Sequence, residues 1–184
     1  MILLRHHAGF ITRPSRHAAA AALALAGGHS GEIGHTRIQD LDLVRGRVWI
    51  HGSSKTDPRW CLLDAWAGHV LAERARFVTA QQIHPDTAPF ARLAVSSRHA
   101  ADAAIQARVC VALGDLLGRI GLGGEPDVKP ASITNRAAVE AFEATGHVED
   151  AARRLGLRSL DRAAAAIGHT WRTRRQDGEG SANA

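Results

Sequence analysis

Residues 48–63 read Val48-Trp49-Ile50-His51-Gly52-Ser53-Ser54-Lys55-Thr56-Asp57-Pro58-Arg59-Trp60-Cys61-Leu62-Leu63. Two short apolar runs, Val48-Trp49-Ile50 and Trp60-Cys61-Leu62-Leu63, flank the polar turn at 53–58, which is the pattern of a β-hairpin with a lysine at its tip. The rest of the chain is patterned for helices, so this hairpin sets the expected fold class: mainly α with a small antiparallel β-sheet (α+β). Trp49, Trp60 and Trp66 gather around the hairpin and the helix after it, and their spacing reads as a core cluster in preference to a base-stacking surface.

Upstream of the hairpin, an alanine-rich helix is expected over 15–26, with Ser15 as N-cap and the Gly27-Gly28 pair as its stop. A shorter helix over 31–37 leads through Asp40-Leu41-Asp42-Leu43 into the sheet. Downstream, the spacing predicts a helix over 65–77, a loop over 81–89, a short strand at Leu93-Ala94-Val95 and a long amphipathic helix over 100–120. A Gly- and Pro-rich loop at 121–130 precedes helices over 132–145, 149–155 and 160–167. Trp171 is placed to pin the last helix, and the polar stretch 172–184 reads as a disordered tail.

The 184 residues suffice for one domain, and 45% hydrophobic residues can fill a core. The formal net charge is +5, and Lys55 and Lys129 are the only lysines, so arginine supplies nearly all of the positive charge. That balance favours a phosphate-rich partner. An Ala- and Arg-rich composition also arises from genome base composition, so charge alone does not decide. Cys61 and Cys110 lie in apolar stretches without metal-ligand spacing, and the histidines share no helical face, so neither a metal, a cofactor nor a disulfide is expected. No apolar run approaches the length of a membrane span, and the expected location is the cytoplasm.

The order of these parts resembles the catalytic domain of the tyrosine recombinases, the phage integrase family. Gly27-Gly28-His29-Ser30-Gly31-Glu32 matches that family's Gly-Leu-Arg-x-x-Glu, with Glu32 kept and His29 at the position of the first catalytic arginine. Thr36-Arg37-Ile38-Gln39-Asp40-Leu41-Asp42 resembles its entry into the sheet, and Gly52 to Arg59 its hairpin, whose lysine acts as general acid. The His-x-x-Arg box corresponds to Ala131-Ser132-Ile133-Thr134-Asn135-Arg136, where only Arg136 fits. The Leu-Gly-His turn corresponds to Leu155-Gly156-Leu157, without its histidine. The nucleophilic tyrosine is due near 166–169, and the chain contains no tyrosine. His169 lies close to that place.

The resemblance implies a catalytic-like domain over 13–171, preceded by an extension at 1–12, and a DNA integration or recombination activity by descent. It implies Lys55, Arg136 and His29 at catalytic positions and Arg37, Lys55, Arg59 and Arg136 as contacts to double-stranded DNA, with other recombinase protomers as possible partners. Strand cleavage needs a nucleophile that becomes attached to the phosphate, and two arginines that hold the developing phosphorane are worth roughly 3 kcal/mol each. With both compromised, a DNA-binding relic without cleavage activity is expected. The chain opens close to the catalytic domain, without the family's core-binding domain, so weak and salt-dependent binding is expected as well.

Other readings of the same residues stand beside this one. Lys55 is also an ordinary solvated turn residue, Glu32 a helix-start cap, His29 a helix-end residue, and Arg136 a surface partner of Glu140 at i+4. Residues 149–161 also read as a helix-turn-helix, in which Arg153, Arg154, Arg158 and Arg162 would face DNA in a sequence-specific regulator. A third reading is a pseudo-recombinase that survives only as an interaction partner.

Overall fold

Every residue from Ala18 to Leu25 in helix α1 (Arg16–Leu25) is buried, which makes this alanine helix the axle of the molecule. The Ser15 side chain starts it by accepting a hydrogen bond from the Ala18 amide at 3.0 Å, as the sequence predicts. Small side chains let neighbouring helices approach closely on all sides. The computed structural model describes residues 15–96 and 100–170. The expectations for 1–12, Trp171 and 172–184 lie outside the described residues.

From α1 the chain passes through the short α2 (Ser30–Ile33) and a 3-10 turn (Ile38–Asp40) into strands β1 (Leu41–Asp42), β2 (Arg47–Ile50) and β3 (Arg59–Leu62). Helix α3 (Ala65–Ala80) follows, then a second 3-10 turn (Pro85–Phe90), α4 (Asp102–Arg119), α5 (Pro130–Thr145), α6 (Val148–Leu155) and α7 (Leu160–Ile167). Helices α3, α4 and α5 pack around α1, and α2 rests on α4. Leu23, Ile33, Leu71, Ile105, Leu113 and Leu116 are fully buried where these helices meet, each contributing about 1.5–3 kcal/mol by removal from water. Helices α5, α6 and α7 form a smaller cluster around Phe142, Leu155 and Ala163.

The sheet has the order β1-β2-β3 and is antiparallel throughout. Val48 pairs with Cys61 and Ile50 with Arg59, while Trp49 pairs with Trp60. Because side chains alternate along a strand, Val48, Ile50, Arg59 and Cys61 turn toward the core and Trp49, Trp60 and Leu62 turn away. This corrects the expected tryptophan core cluster. Trp60 is 46% exposed, meets Trp49 edge-on at 5.2 Å, and carries the Arg47 guanidinium over its ring at 4.1 Å. Of the three, Trp66 packs against the main core.

Two further expectations change, and one short strand is added. Residues 31–37 hold a single turn of helix and then bend, and Gly34 explains the tight packing there, since a β-carbon on it would lie 2.2 Å from Ile105 Cγ2. Leu93-Ala94-Val95 is buried but is not a strand. It is held instead by the Leu93 amide donating to the Thr36 carbonyl at 3.1 Å and by an isolated bridge between Arg37 and Arg92. The third strand, β1, is two residues long and pairs Leu41 with Val48.

Candidate functional site

The turn after α1, the tip of the β2–β3 hairpin and the end of α6 meet at one place. Thr56, next to Lys55, forms a bridge with Leu157, and the Asp57 amide donates to the Gly156 carbonyl at 2.8 Å. The His29 Nε2 lies 3.0 Å from the Leu155 carbonyl, 126 positions away in sequence. Three stretches that resemble separate catalytic motifs are therefore neighbours in space.

Arg59 ties them together. Its Nη1 donates to Glu32 Oε1 and to the Asp57 carbonyl, both at 3.0 Å. Its Nη2 donates to Glu32 Oε2 at 3.0 Å and to the Gly27 carbonyl at 2.7 Å. Its Nε donates to the Arg154 carbonyl at 3.1 Å. These bonds use all five guanidinium donors. Arg59 was expected to touch DNA; it is 9% exposed, with no donor left for a phosphate, and serves as a buried clamp.

Glu32, 4% exposed, is the clamp's acidic half. Burial pushes its carboxyl up, but the hydrogen bonds and charge of Arg59, with Thr56 and the His29 amide, outweigh burial and hold it below the ordinary carboxylate range. The charge is stable there only because it is fully paired.

His29, expected at the resembling family's first arginine, is a half-buried ring with a backbone partner. A carbonyl only accepts, so the nitrogen facing Leu155 must carry the proton. Burial holds its pKa below the usual histidine value, outweighing the raising effects of Glu32 and the Leu155 carbonyl. A neutral ring fixed as a backbone donor cannot act as a charged fork on a phosphate.

Lys55 stands at the exposed tip of a tight turn closed by the Ser53–Thr56 bridge. Its backbone amide donates to Ser53 Oγ at 3.1 Å, and its ammonium group makes no ion pair among the described residues. Beside it Arg158, 60% exposed, donates to Asp57 Oδ1 at 2.7 Å. Pattern reading did not assign Arg158 to this face, because only folding brings the α6–α7 turn against the hairpin; the Leu-Gly-Leu motif just before it was the available signal.

Arg136 is not brought to this cluster. Thr134, buried on α5, donates to the Gly28 carbonyl at 2.8 Å, and a side chain two residues on is turned by about 200° around the helix. Arg136 instead pairs with Glu140 at 3.2 Å and Glu143 at 3.3 Å. Arg37 lies elsewhere, on a cavity with Arg74 and Arg92. His169, expected close to the resembling family's nucleophile position, packs its ring 5.4 Å from Phe142.

The helix-turn-helix segment forms as two helices joined at Gly156, but not all of its arginines face outward together. The Arg154 Nη2 donates to the Leu62 carbonyl at 3.3 Å, and Arg158 reaches Asp57. Both are directed at the hairpin. Arg153 pairs with Asp150.

The fold is recombinase-like. No protein-family model matches the chain, and no curated protein does. The solved structure of XerA recombinase is similar, with 16% identity and a TM-score of 0.69 over 91% of this chain and 57% of that one. The likeness at that identity is one of fold, and this chain spans a little over half of the XerA recombinase chain. No helix among the described residues is long and apolar enough to cross a membrane, and they contain no group of three or more metal-ligating side chains.

Proposed function

We propose that this chain is a recombinase-derived DNA-binding domain that grips the phosphate backbone through the hairpin tip and does not cut the strand. The observation that carries this reading is the meeting of His29, the Lys55 hairpin and the Leu155–Gly156–Leu157 turn at one site, within a recombinase-like fold. The site keeps a cation at the hairpin and the architecture that positions it. It lacks the nucleophile, since the chain has no tyrosine, and it lacks the first arginine. Lys55 makes no ion pair among the described residues and is the first contact to phosphate oxygens; Arg158 stands beside it, exposed but paired through Nε with Asp57, and Arg136, held by two carboxylates away from the hairpin, contributes less.

The same geometry supports this reading over the helix-turn-helix regulator, because Arg154 and Arg158 face the hairpin. Fluorescence anisotropy with a duplex DNA at low salt tests it. Lys55→Ala with Arg158→Ala should weaken binding several-fold, and Arg136→Ala should change it less than twofold. A nicked suicide duplex should give no covalent protein–DNA adduct on a denaturing gel. Absence of DNA binding at low salt, or an adduct, would overturn the proposal.

A further inference from the structure

A cavity of about 430 Å³ lies between the end of α3, the Pro85–Phe90 turn and the segment after it. Its wall carries Arg37, Arg74 and Arg92, with the polar side chains of Gln82, Thr87 and Ser96. None of its described lining residues is acidic. We propose that this cavity is a binding site for a phosphate-bearing anion, a function separate from the hairpin site and not dependent on it.

The backbone holds the cations in place. Arg37 and Arg92 face each other across an antiparallel bridge, with the Ile38 amide donating to the Ala91 carbonyl and the Leu93 amide to the Thr36 carbonyl, both at 3.1 Å. Arg74 is 6% exposed and donates from Nε to the Leu93 carbonyl at 2.9 Å. Burial, with the charge of Arg16 beside it, lowers its pKa to about 10, so it stays cationic at neutral pH while its charge is poorly solvated. Arg16 itself donates to Ser96 Oγ at 2.9 Å.

Like charges gathered on one concave wall repel one another, and an oxyanion seated among them relieves that repulsion. Arginine suits the task, because its planar fork matches two oxygens of a phosphate at once. The carbonyl end of α3 at Gln81 opposes an anion with about half a unit of negative charge. Three full positive charges outweigh it. The volume accommodates a phosphate or pyrophosphate group with part of the molecule bearing it.

The phosphate can belong to a free molecule or to a DNA backbone, and the test separates the two. Isothermal titration calorimetry with inorganic pyrophosphate, in a low-salt buffer free of phosphate, is run on the full chain, on Arg37→Gln/Arg92→Gln, on Arg92→Gln alone and on Lys55→Ala. Arg74 is left in place because it is buried, and circular dichroism checks that each variant folds. The expected result is one pyrophosphate per chain, bound at least tenfold more weakly by the double variant and equally well by Lys55→Ala. If pyrophosphate does not bind but the double variant loses tenfold or more in affinity for duplex DNA, the cavity takes a DNA phosphate. If neither ligand distinguishes the cavity variants from wild type, the proposal fails, whatever Lys55→Ala does to DNA binding.

Discussion

His29 joins two elements of the candidate site through a ring that carries no charge at neutral pH. Its ring donates to the Leu155 carbonyl and its backbone amide to Glu32, so it joins α6 to the start of α2 as a neutral group. Its folded pKa lies below 6.5, and the unfolded chain therefore binds more protons on the acid side of 6.5. Stability contributed by the neutral ring is complete above that pH and falls as pH drops toward the folded pKa. Thermal unfolding between pH 7.5 and 5 should show this decline, and His29→Gln, which keeps an amide donor without titrating, should flatten it; an identical slope in the variant would refute the assignment. Glu32 acts in the same direction further into acid, since its carboxyl is held below its ordinary value. Its partner is more consequential still. Arg59→Met leaves the Glu32 carboxylate buried without its guanidinium and should cost about 3–5 kcal/mol in urea unfolding. Adding Glu32→Met should recover part of that loss, and a purely additive double variant would argue against the coupling.

Two glycines at the element junctions decide whether the hairpin can seat against the helices. Gly156 ends α6 at φ +66°, and a β-carbon on it would lie 2.5 Å from Arg59 Nη1 and 2.7 Å from the Asp57 carbonyl. Gly156→Ala therefore combines a left-handed backbone cost with displacement of the clamp, and should lower stability by about 2–4 kcal/mol; an unchanged urea midpoint would show the junction to be slack. Gly27, at φ +110°, meets the same restriction against the Arg154 carbonyl, where its β-carbon would lie at 2.7 Å. Most of the helices are legible in the sequence through local signals: Ser15 caps α1, the Gly27-Gly28 pair follows its end, and the Gly- and Pro-rich stretch 121–130 parts α4 from α5. The hairpin was legible from its two apolar runs. Strand β1 was not, because two residues are too short for an alternating pattern. Leu93-Ala94-Val95 has the apolar character of a strand, but burial and not pairing explains it. The outward turn of the tryptophans is not legible for a related reason: composition signals that residues cluster, while only strand register determines which face they share. The buried role of Arg59 is not legible in the sequence, because its five acceptors are drawn from segments up to 95 positions away and no local pattern records them.

At the scale of the whole molecule, the recombinase-like fold covers 57% of the XerA recombinase chain, and the proposed DNA grip rests on a few cations at one edge. A formal charge of +5 on the full chain favours encounter with DNA, but many arginines are internally committed. Arg59 is buried, Arg45 and Arg47 pair with Asp42, Arg76 with Glu73, and Arg136 with two glutamates. The charge available for phosphate contacts is therefore smaller than composition implies. If about three contacts form, each releasing counterions, the logarithm of the association constant should fall against the logarithm of salt with a slope of about −2.7. Raising salt from about 50 to about 150 mM should then weaken binding about twentyfold. Lys55→Ala should reduce the slope by about one, because it removes one contact, and the loss should be alike for unrelated duplex sequences. A slope close to zero would argue against a phosphate-backbone grip. Strong preference for one sequence, with the slope unchanged by Lys55→Ala, would move the contact from the hairpin to the α6–α7 helices.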